Sequence, residues 1–300
     1  MLPTFLILNP RSGNGKNEKH IPSIISHFKT KNIPFGYHVT THSDDARKVA
    51  SEVKEKFQIV VAAGGDGTIN EVVNGIAGSN TILGILPLGS GNDFAKAMRY
   101  PKQFNQCLEL LSNQGSRTID LALIEALNSV SEKKSKYFIN SVGIGLDAQV
   151  ASEAGRINWV RGLPKYSVAA LNVVFGYKAE SSWVSSAEFE SVGKHLLISI
   201  GNGKSSGGGF YLTPEALLDD GMLDVCLAKN LSIFEILKIF PFVFLGKHAR
   251  FQKIEMRRTT KLVVKTETDL PVHVDGEVLG LDIREVRIEA VPLAIRVLTA

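Results

Sequence analysis

The sequence predicts an α/β domain followed by a mainly antiparallel β domain, and two observations predict it. Before about residue 120, short apolar runs rich in β-formers alternate with helical patterns. That order builds a parallel sheet covered on both faces. From about Ser116 onward, strand patterns follow one another with more turns and more polar/apolar alternation, the mark of antiparallel pairing.

The elements follow in order. Residues 4–8 form an apolar β run, residues 18–31 a helical stretch, and residues 35–40 a second strand. Ser43 is the expected N-cap of the next helix, with Asp44 and Asp45 in its first turn and lysines near its end. Residues 58–63 are an apolar, β-branched run that ends in Gly64-Gly65-Asp66-Gly67-Thr68, and a helical pattern continues to Ala77. Residues 81–86 make another strand, closed by Pro87. In the second part, residues 117–123, 136–142, 194–200, 223–228, 261–266 and 286–297 read as strands, with one helical insert near Leu171.

Composition narrows the function classes. The 300 residues are 44% hydrophobic and 21% charged, ordinary values for a packed chain. The net charge of +4 favours anionic partners such as nucleotides or acidic membrane surfaces. It is too small to argue for nucleic acid, and no dense basic stripe, RNP-like pattern or zinc-finger pattern is present. Cys107 and Cys226 lie far apart and form no CxxC, which fits a reducing cytoplasm rather than a disulfide framework. The opening MLPTFLILNP has no basic n-region and does not read as a signal peptide. The longest apolar run, residues 231–246, is interrupted by Glu235, Lys238 and Pro241 and falls short of a membrane span. The segment 231–250 ends in Lys247, His248 and Arg250 and could rest on a bilayer. Burial in the β domain is the expectation, because apolar residues are usually core.

Ligands of open α/β sheets bind beyond the carboxyl ends of the strands. Three such ends carry unusual residues: Asn9-Pro10-Arg11-Ser12-Gly13, residues 64–68, and residues 88–93. Glycines at 64, 65 and 67 permit positive φ and a close ligand approach. Free N–H groups in such a turn, with the helix N-terminus behind them, suit a phosphate. A carboxylate at Asp66 would repel that phosphate unless a cation or proton lay between. Asp66 could hold Mg²⁺ through water, take a proton from an attacking hydroxyl, or merely cap the helix of an ordinary βα turn. In the third loop, Ser90 can donate to a phosphate oxygen, Asn92 can bond a base, a ribose or the turn backbone, and Asp93 can cap or hold a metal-bound water.

Familiar alternatives fail. A Walker A loop needs GxxxxGK[ST]. Gly15-Lys16 is followed by Asn17, with Pro10 at the first glycine position; Gly203-Lys204-Ser205 has Ile198 there. The protein-kinase HRD and DFG signatures are absent, as is a GxGxxG after the first strand.

Taken together, Asn9-Pro10 with Ser12-Gly13, GGDGTINEVVNGI (64–76), GILPLGSGNDFA (84–95), IDLA (119–122), the glycine-rich 201–209, LLDDGMLDV (217–225) and HVDGE (273–277) resemble the diacylglycerol kinase catalytic-domain family, in its bacterial lipid kinase branch. GGDGT alone is shared with NAD kinase and phosphofructokinase relatives; GGDGT with GSGNDF and DGE is far more specific. The resemblance spans nearly the whole chain in order.

It implies a Rossmann-like α/β nucleotide domain over 1–120, of the NAD kinase/phosphofructokinase kind, and an antiparallel β-sandwich lipid-substrate domain over 121–287. The active site would lie in the cleft, and residues from about 288 to 300 would pack back on the first domain. It implies ATP as phosphoryl donor, with contacts from Thr40, Gly64, Gly65, Asp66, Gly67, Thr68, Ile69, Asn70 and Ser90, and from Asn9, Asn92 and Asp93. Glu277 is the implied proton acceptor, with Asp66 the competing assignment. Asp93 and Asp120 would join Asp66 around a catalytic Mg²⁺. Leu217, Asp220 and Met222 would hold a second, structural Mg²⁺, and Asp147 would contact the lipid headgroup. The lipid could be diacylglycerol, phosphatidylglycerol or a sphingoid lipid, reached by a cytoplasmic enzyme at a membrane surface, and a homodimer stays open. The runner-up readings are an NAD kinase-like or sugar kinase with a soluble acceptor, and a non-catalytic nucleotide-binding regulator.

Overall fold

A computed structural model of the chain describes residues 2–13, 15, 17–113, 115–157 and 163–299. They divide into two units, 1–120 with 293–300, and 121–292.

In the first unit, β1 (Thr4–Leu8), α1 (Ile21–Thr30), β2 (Phe35–Val39), α2 (Asp45–Val53), β3 (Ile59–Gly64), α3 (Asp66–Ile76), β4 (Ile82–Pro87), α4 (Asp93–Ala97) and α5 (Phe104–Asn113) follow one another. The strands are parallel, in the order β4-β3-β1-β2. β3 is buried along its whole length, as a strand covered on both faces requires. The register sets Leu8 beside Ala63 and Gly64 beside Pro87, so the three loops of interest leave the sheet at one edge. Ser43 is not the cap of α2. Asp44, at φ +67°, precedes that helix, and the buried Asp45 carboxylate accepts the Thr41 N–H at 2.8 Å.

The chain crosses to the second unit along β5 (Ser116–Asn128), then runs through β6 (Lys133–Phe138), β7 (Ser141–Gly145), α6 (Leu146–Arg156), α7 (Leu163–Val174), β8 (Glu180–Ser186), β9 (Glu190–Gly201), β10 (Leu223–Lys229), α8 (Ile233–Phe244), β11 (Ile254–Thr259) and β12 (Lys261–Val274). Its last strand, β13 (Glu277–Leu298), ends in the first unit, where Arg296 and Val297 pair in parallel with Ile82 and Leu83 of β4. The strand expected over 136–142 is two strands, because the chain breaks at Ile139 and Asn140 to bond Asp275.

The pairings of the second unit are antiparallel. Two long strands serve two sheets: β9 pairs β8 through its first half and β7 through its second, and β12 does the same. The register of β12 shifts between Lys265 and Leu270, between its pairing with β8 and its pairing with β7. Val184, Ile198, Val225, Leu262, Val272 and Ile288 fill the core of this sandwich. The 231–250 segment forms α8, which packs Ile239 and Val243 against Cys226 and Ala228 of β10 and Ile254 of β11 and leaves its other face exposed.

Candidate functional site

In the first unit, three loops are stitched into one surface. Asn9, just past β1, donates from Nδ2 to Thr68 Oγ1 at 2.9 Å and accepts the Arg11 and Ser12 N–H groups on Oδ1. Ser12 Oγ accepts the Gly65 N–H at 3.2 Å, and Asn17 reaches Leu88 O at 2.9 Å. Asn92, at φ +52°, accepts the Gly89 N–H at 2.9 Å and donates back to Gly89 O at 3.0 Å. Of the roles open to Asn92, the structure displays the one on the turn backbone.

The glycines of the GGDGT loop do not supply positive φ; Gly64, Gly65 and Gly67 all lie outside that region. Close approach is their reason. A Cβ on Gly64 would sit 2.4 Å from Thr68 Oγ1, and one on Gly89 would sit 2.5 Å from Gly65 Cα. Gly13 alone of these loop glycines combines both demands, with φ +61° and a Cβ position 2.9 Å from Leu88 O.

The result is a backbone-lined cradle at the N-terminus of α3. First-turn N–H groups have no intrahelical acceptor, and the helix dipole adds positive potential there, so the cradle fits an anion such as a phosphate. Ser90 is exposed at its rim, and Thr40 is buried beside the end of β1, its N–H on Leu8 O at 2.9 Å. Ile69 and Asn70 are wholly buried in the first turns of α3.

Asp66 is the first residue of α3, after the N-cap Gly65. Its Oδ1 accepts the Phe94 N–H at 3.2 Å, tying α3 to the start of α4. Asp93 is buried, with Lys96 Nζ at 3.5 Å. Asp120 has no exposed surface, and its Oδ1 accepts the Leu293 N–H at 2.7 Å, an anchor for the returning strand. Among the described residues, no three His, Cys, Asp or Glu side chains converge as a metal cage. The partly exposed Asp66 suits a Mg²⁺ that keeps most of its waters, the usual habit of that ion. The fully covered Asp120 does not.

The expected ligands of a structural Mg²⁺, Leu217, Asp220 and Met222, lie in the turn before β10. Asp220 accepts the Met222 N–H at 3.1 Å on one oxygen and the Arg258 guanidinium on the other. Arg258 also stands 3.4 Å from the buried Asp224. In the turn 217–222 the Asp220 carboxylate is thus engaged by Arg258 and by the Met222 N–H.

The second unit contains a pocket of about 1030 Å³, counting the space open to solvent at its mouth. α6, α7 and α8 supply half of its lining residues, and the lining is almost entirely apolar. Asp147, in the first turn of α6, faces into it with His273, at 3.0 Å between Oδ2 and Nε2. The Gly276 N–H donates to His273 Nδ1 at 3.2 Å, so the neutral ring carries its proton on Nε2, toward Asp147. Beyond this contact neither atom has a hydrogen-bond partner, although both are buried. Gly143 makes the approach possible, since a Cβ there would lie 2.3 Å from both atoms. Cys226 also lines the pocket, its thiol pushed up to about 12 by burial and hence neutral.

Asp275 and Gly276, at φ +49° and +84°, form the tight turn of the β12–β13 hairpin. The Asp275 carboxylate accepts three backbone N–H groups, from Ile139, Asn140 and Ser141, at 2.9–3.0 Å. Glu277 follows, half exposed, with Lys136 Nζ 3.1 Å from Oε2. The hairpin and a presented carboxylate are therefore compatible. His273 and Asp275 were missed as site-building residues, although both sit in HVDGE.

Residues 3–124 match the family model of the diacylglycerol kinase catalytic domain, and residues 140–299 match the YegS C-terminal NAD kinase beta sandwich-like domain. A Mycobacterium tuberculosis protein named "Diacylglycerol kinase" is 30% identical over 302 residues, covering 97% of this chain and 93% of its own. A Yersinia enterocolitica protein named "Probable lipid kinase YegS-like" is 31% identical over 301 residues, covering 98% and 95%. A solved Bacillus anthracis structure described as a diacylglycerol kinase superposes with a TM-score of 0.73 over 99% of this chain and 97% of that one, at 19% identity, which speaks to the fold.

Proposed function

The chain belongs to the diacylglycerol kinase catalytic-domain family, a family of lipid kinases, and on that premise we propose that it transfers the γ-phosphate of ATP to the hydroxyl of a diacylglycerol-type lipid. The observation that carries the lipid reading is the apolar pocket holding the buried Asp147–His273 pair. A sugar or dinucleotide acceptor brings many hydroxyls and charges, and an apolar lining would leave them unsatisfied at roughly 1–3 kcal/mol each. Acyl chains carry no such penalty, and one polar group can meet Asp147 Oδ2 and His273 Nε2, which have no hydrogen-bond partner beyond their contact with each other.

In this reading the first unit is the nucleotide-binding domain and the second the lipid-binding one. The Gly64–Gly67 backbone and the α3 N-terminus hold the phosphates, with Thr68 and Asn9 fixing the loop and Ser90 at its rim. Mg²⁺, when bound, neutralises charge on the transferring phosphoryl group, and Asp66 is the residue placed to hold it through water. Glu277 accepts the proton of the lipid hydroxyl as its oxygen bonds to phosphorus and the bond to the departing ADP breaks. Asp66 is the rival base. ATP as donor and the free, buried Cys107 and Cys226 fit a cytoplasmic site of action.

The test is product identification after incubation with labelled ATP and a total lipid extract. Label in phosphatidic acid is expected; label only in a soluble sugar or dinucleotide overturns the reading. Glu277→Gln should lower kcat by about 10²–10⁴-fold with the ATP KM little changed. If Asp66→Asn alone produces that loss, the base is Asp66.

A further inference from the structure

We propose that the outer face of α8, together with the end of α7, docks on an anionic lipid bilayer, so that the apolar pocket opens against the membrane. This rests on the lipid-acceptor reading above and names where that acceptor enters.

A helix lying on a globular domain normally turns apolar residues inward and polar ones outward. α8 breaks that rule. Its solvent face carries Phe234, Leu237, Lys238 and Pro241, with Leu245 just beyond its end, a spacing of three to four residues that keeps them on one side. Phe234 is 81% exposed and Leu245 63%. The last turn of α7 and the residue after it add Leu171 and Phe175, the latter 74% exposed. Leu171 and Leu237 both line the pocket while staying more than two-fifths exposed, which places them at its rim. The exposed apolar surface and the mouth of the pocket are therefore continuous.

Charge selects the occupant. Lys238, Lys247 and Arg250 are exposed on or just after α8, and the Arg250 guanidinium lies 3.8 Å over the Phe242 ring. The carboxylate of α8, Glu235, is taken by Lys253 at 2.8 Å and by the Ser232 cap. Large apolar side chains beside cations that have no carboxylate partner among the described residues, with an apolar cavity opening between them, match acyl tails beneath anionic headgroups. The geometry also serves the substrate. Each methylene that crosses open water costs roughly a factor of four in transfer, and a mouth pressed to the bilayer removes that crossing.

The experiment is flotation of the full chain with vesicles of phosphatidylcholine, with and without phosphatidylglycerol. The parent should float with the phosphatidylglycerol vesicles. Phe234→Glu with Leu245→Glu should lower partitioning by more than roughly tenfold. Lys238→Glu with Lys247→Glu should lower it by at least roughly fivefold per lysine, on the anionic vesicles only. These side chains are exposed and outside the pocket lining, so thermal melts should match the parent. On a short-chain diacylglycerol dissolved as monomer the Phe234/Leu245 variant should keep parental kcat, while on vesicle-embedded long-chain diacylglycerol its rate should fall in step with flotation. Variants that float like the parent would overturn the proposal. So would a parent that does not float but is a dimer by light scattering, rendered monomeric by the same substitutions. Flotation as expected with no monomeric lipid phosphorylated would leave docking in place and defeat the lipid kinase assignment.

Discussion

Replacing Gly89 with alanine tests whether the two glycine loops hold each other in position. The new Cβ would lie 2.5 Å from Gly65 Cα and 2.8 Å from Asn92 Oδ1, where real Cβ contacts stay above 3.0 Å. The loops must part by at least 3.0 − 2.5 = 0.5 Å, and by 3.4 − 2.5 = 0.9 Å to reach ordinary contact. Backbone faces backbone, so no side chain can swing aside. The displacement strains the Gly89 N–H bond to Asn92 and the Phe94 N–H bond to Asp66. Overpacking of this kind costs about 1–3 kcal/mol, a fall of roughly 2–4 °C in Tm for each kcal/mol. A misplacement near 1 Å in a phosphoryl-transfer site costs about 10²-fold in kcat/KM. Gly65→Ala is the internal control, because its Cβ meets Gly89 Cα at 3.3 Å and needs only a few tenths of an ångström. Calorimetry and steady-state kinetics against ATP read both effects. An unchanged Tm and kcat/KM in Gly89→Ala, or a larger fall of Tm in Gly65→Ala, would show that the two loops do not brace each other.

Asp275→Ala should destabilise the second unit by at least about 3 kcal/mol, because three backbone donors lose their acceptor, while Asp275→Asn should cost less; chemical denaturation measures both. His195, buried between Ser182 and Ser191, has its pKa lowered by burial and then by Lys229. The unfolded chain therefore binds the extra proton, so its contribution is full above about pH 6.5 and lost as the pH falls toward the folded pKa. Tm should drop between pH 7 and 5, and His195→Gln should flatten that slope. Gly155 in α6 has open space at its Cβ and no positive φ, so Gly155→Ala should raise stability by roughly 0.5–1 kcal/mol in the same melts.

The parallel sheet was readable because Ile59 to Ala63 is an unbroken apolar run, the composition a doubly covered strand needs. The phosphate cradle was readable as glycines at strand ends, but the reason for them was not. Positive φ was the local expectation, and contact between loops far apart in sequence is the cause. Asp120 and Asn70 stood out by motif; that each is covered completely was not legible, because burial is set by the rest of the chain. β12 was read as six residues, since its polar stretch at Thr266 to Asp269 interrupts alternation between its pairing with β8 and its pairing with β7. α8 was the reverse case. Its apolar composition was visible, but whether such a helix faces core or solvent depends on partners that composition does not encode. Asp275 announced a turn through Asp-Gly; nothing local announced that its carboxylate would gather three amides.

Strand β13 closes the first unit from the far end of the chain: Val297 lies in register with Leu83, and Leu298 O receives the Tyr100 hydroxyl at 2.7 Å. On the ribosome, then, the β-sheet begun by Thr4 waits until Val297 has been translated before its edge beside β4 is sealed. Stopping synthesis after residue 120 would leave that edge bare, an open template for pairing with other nascent chains.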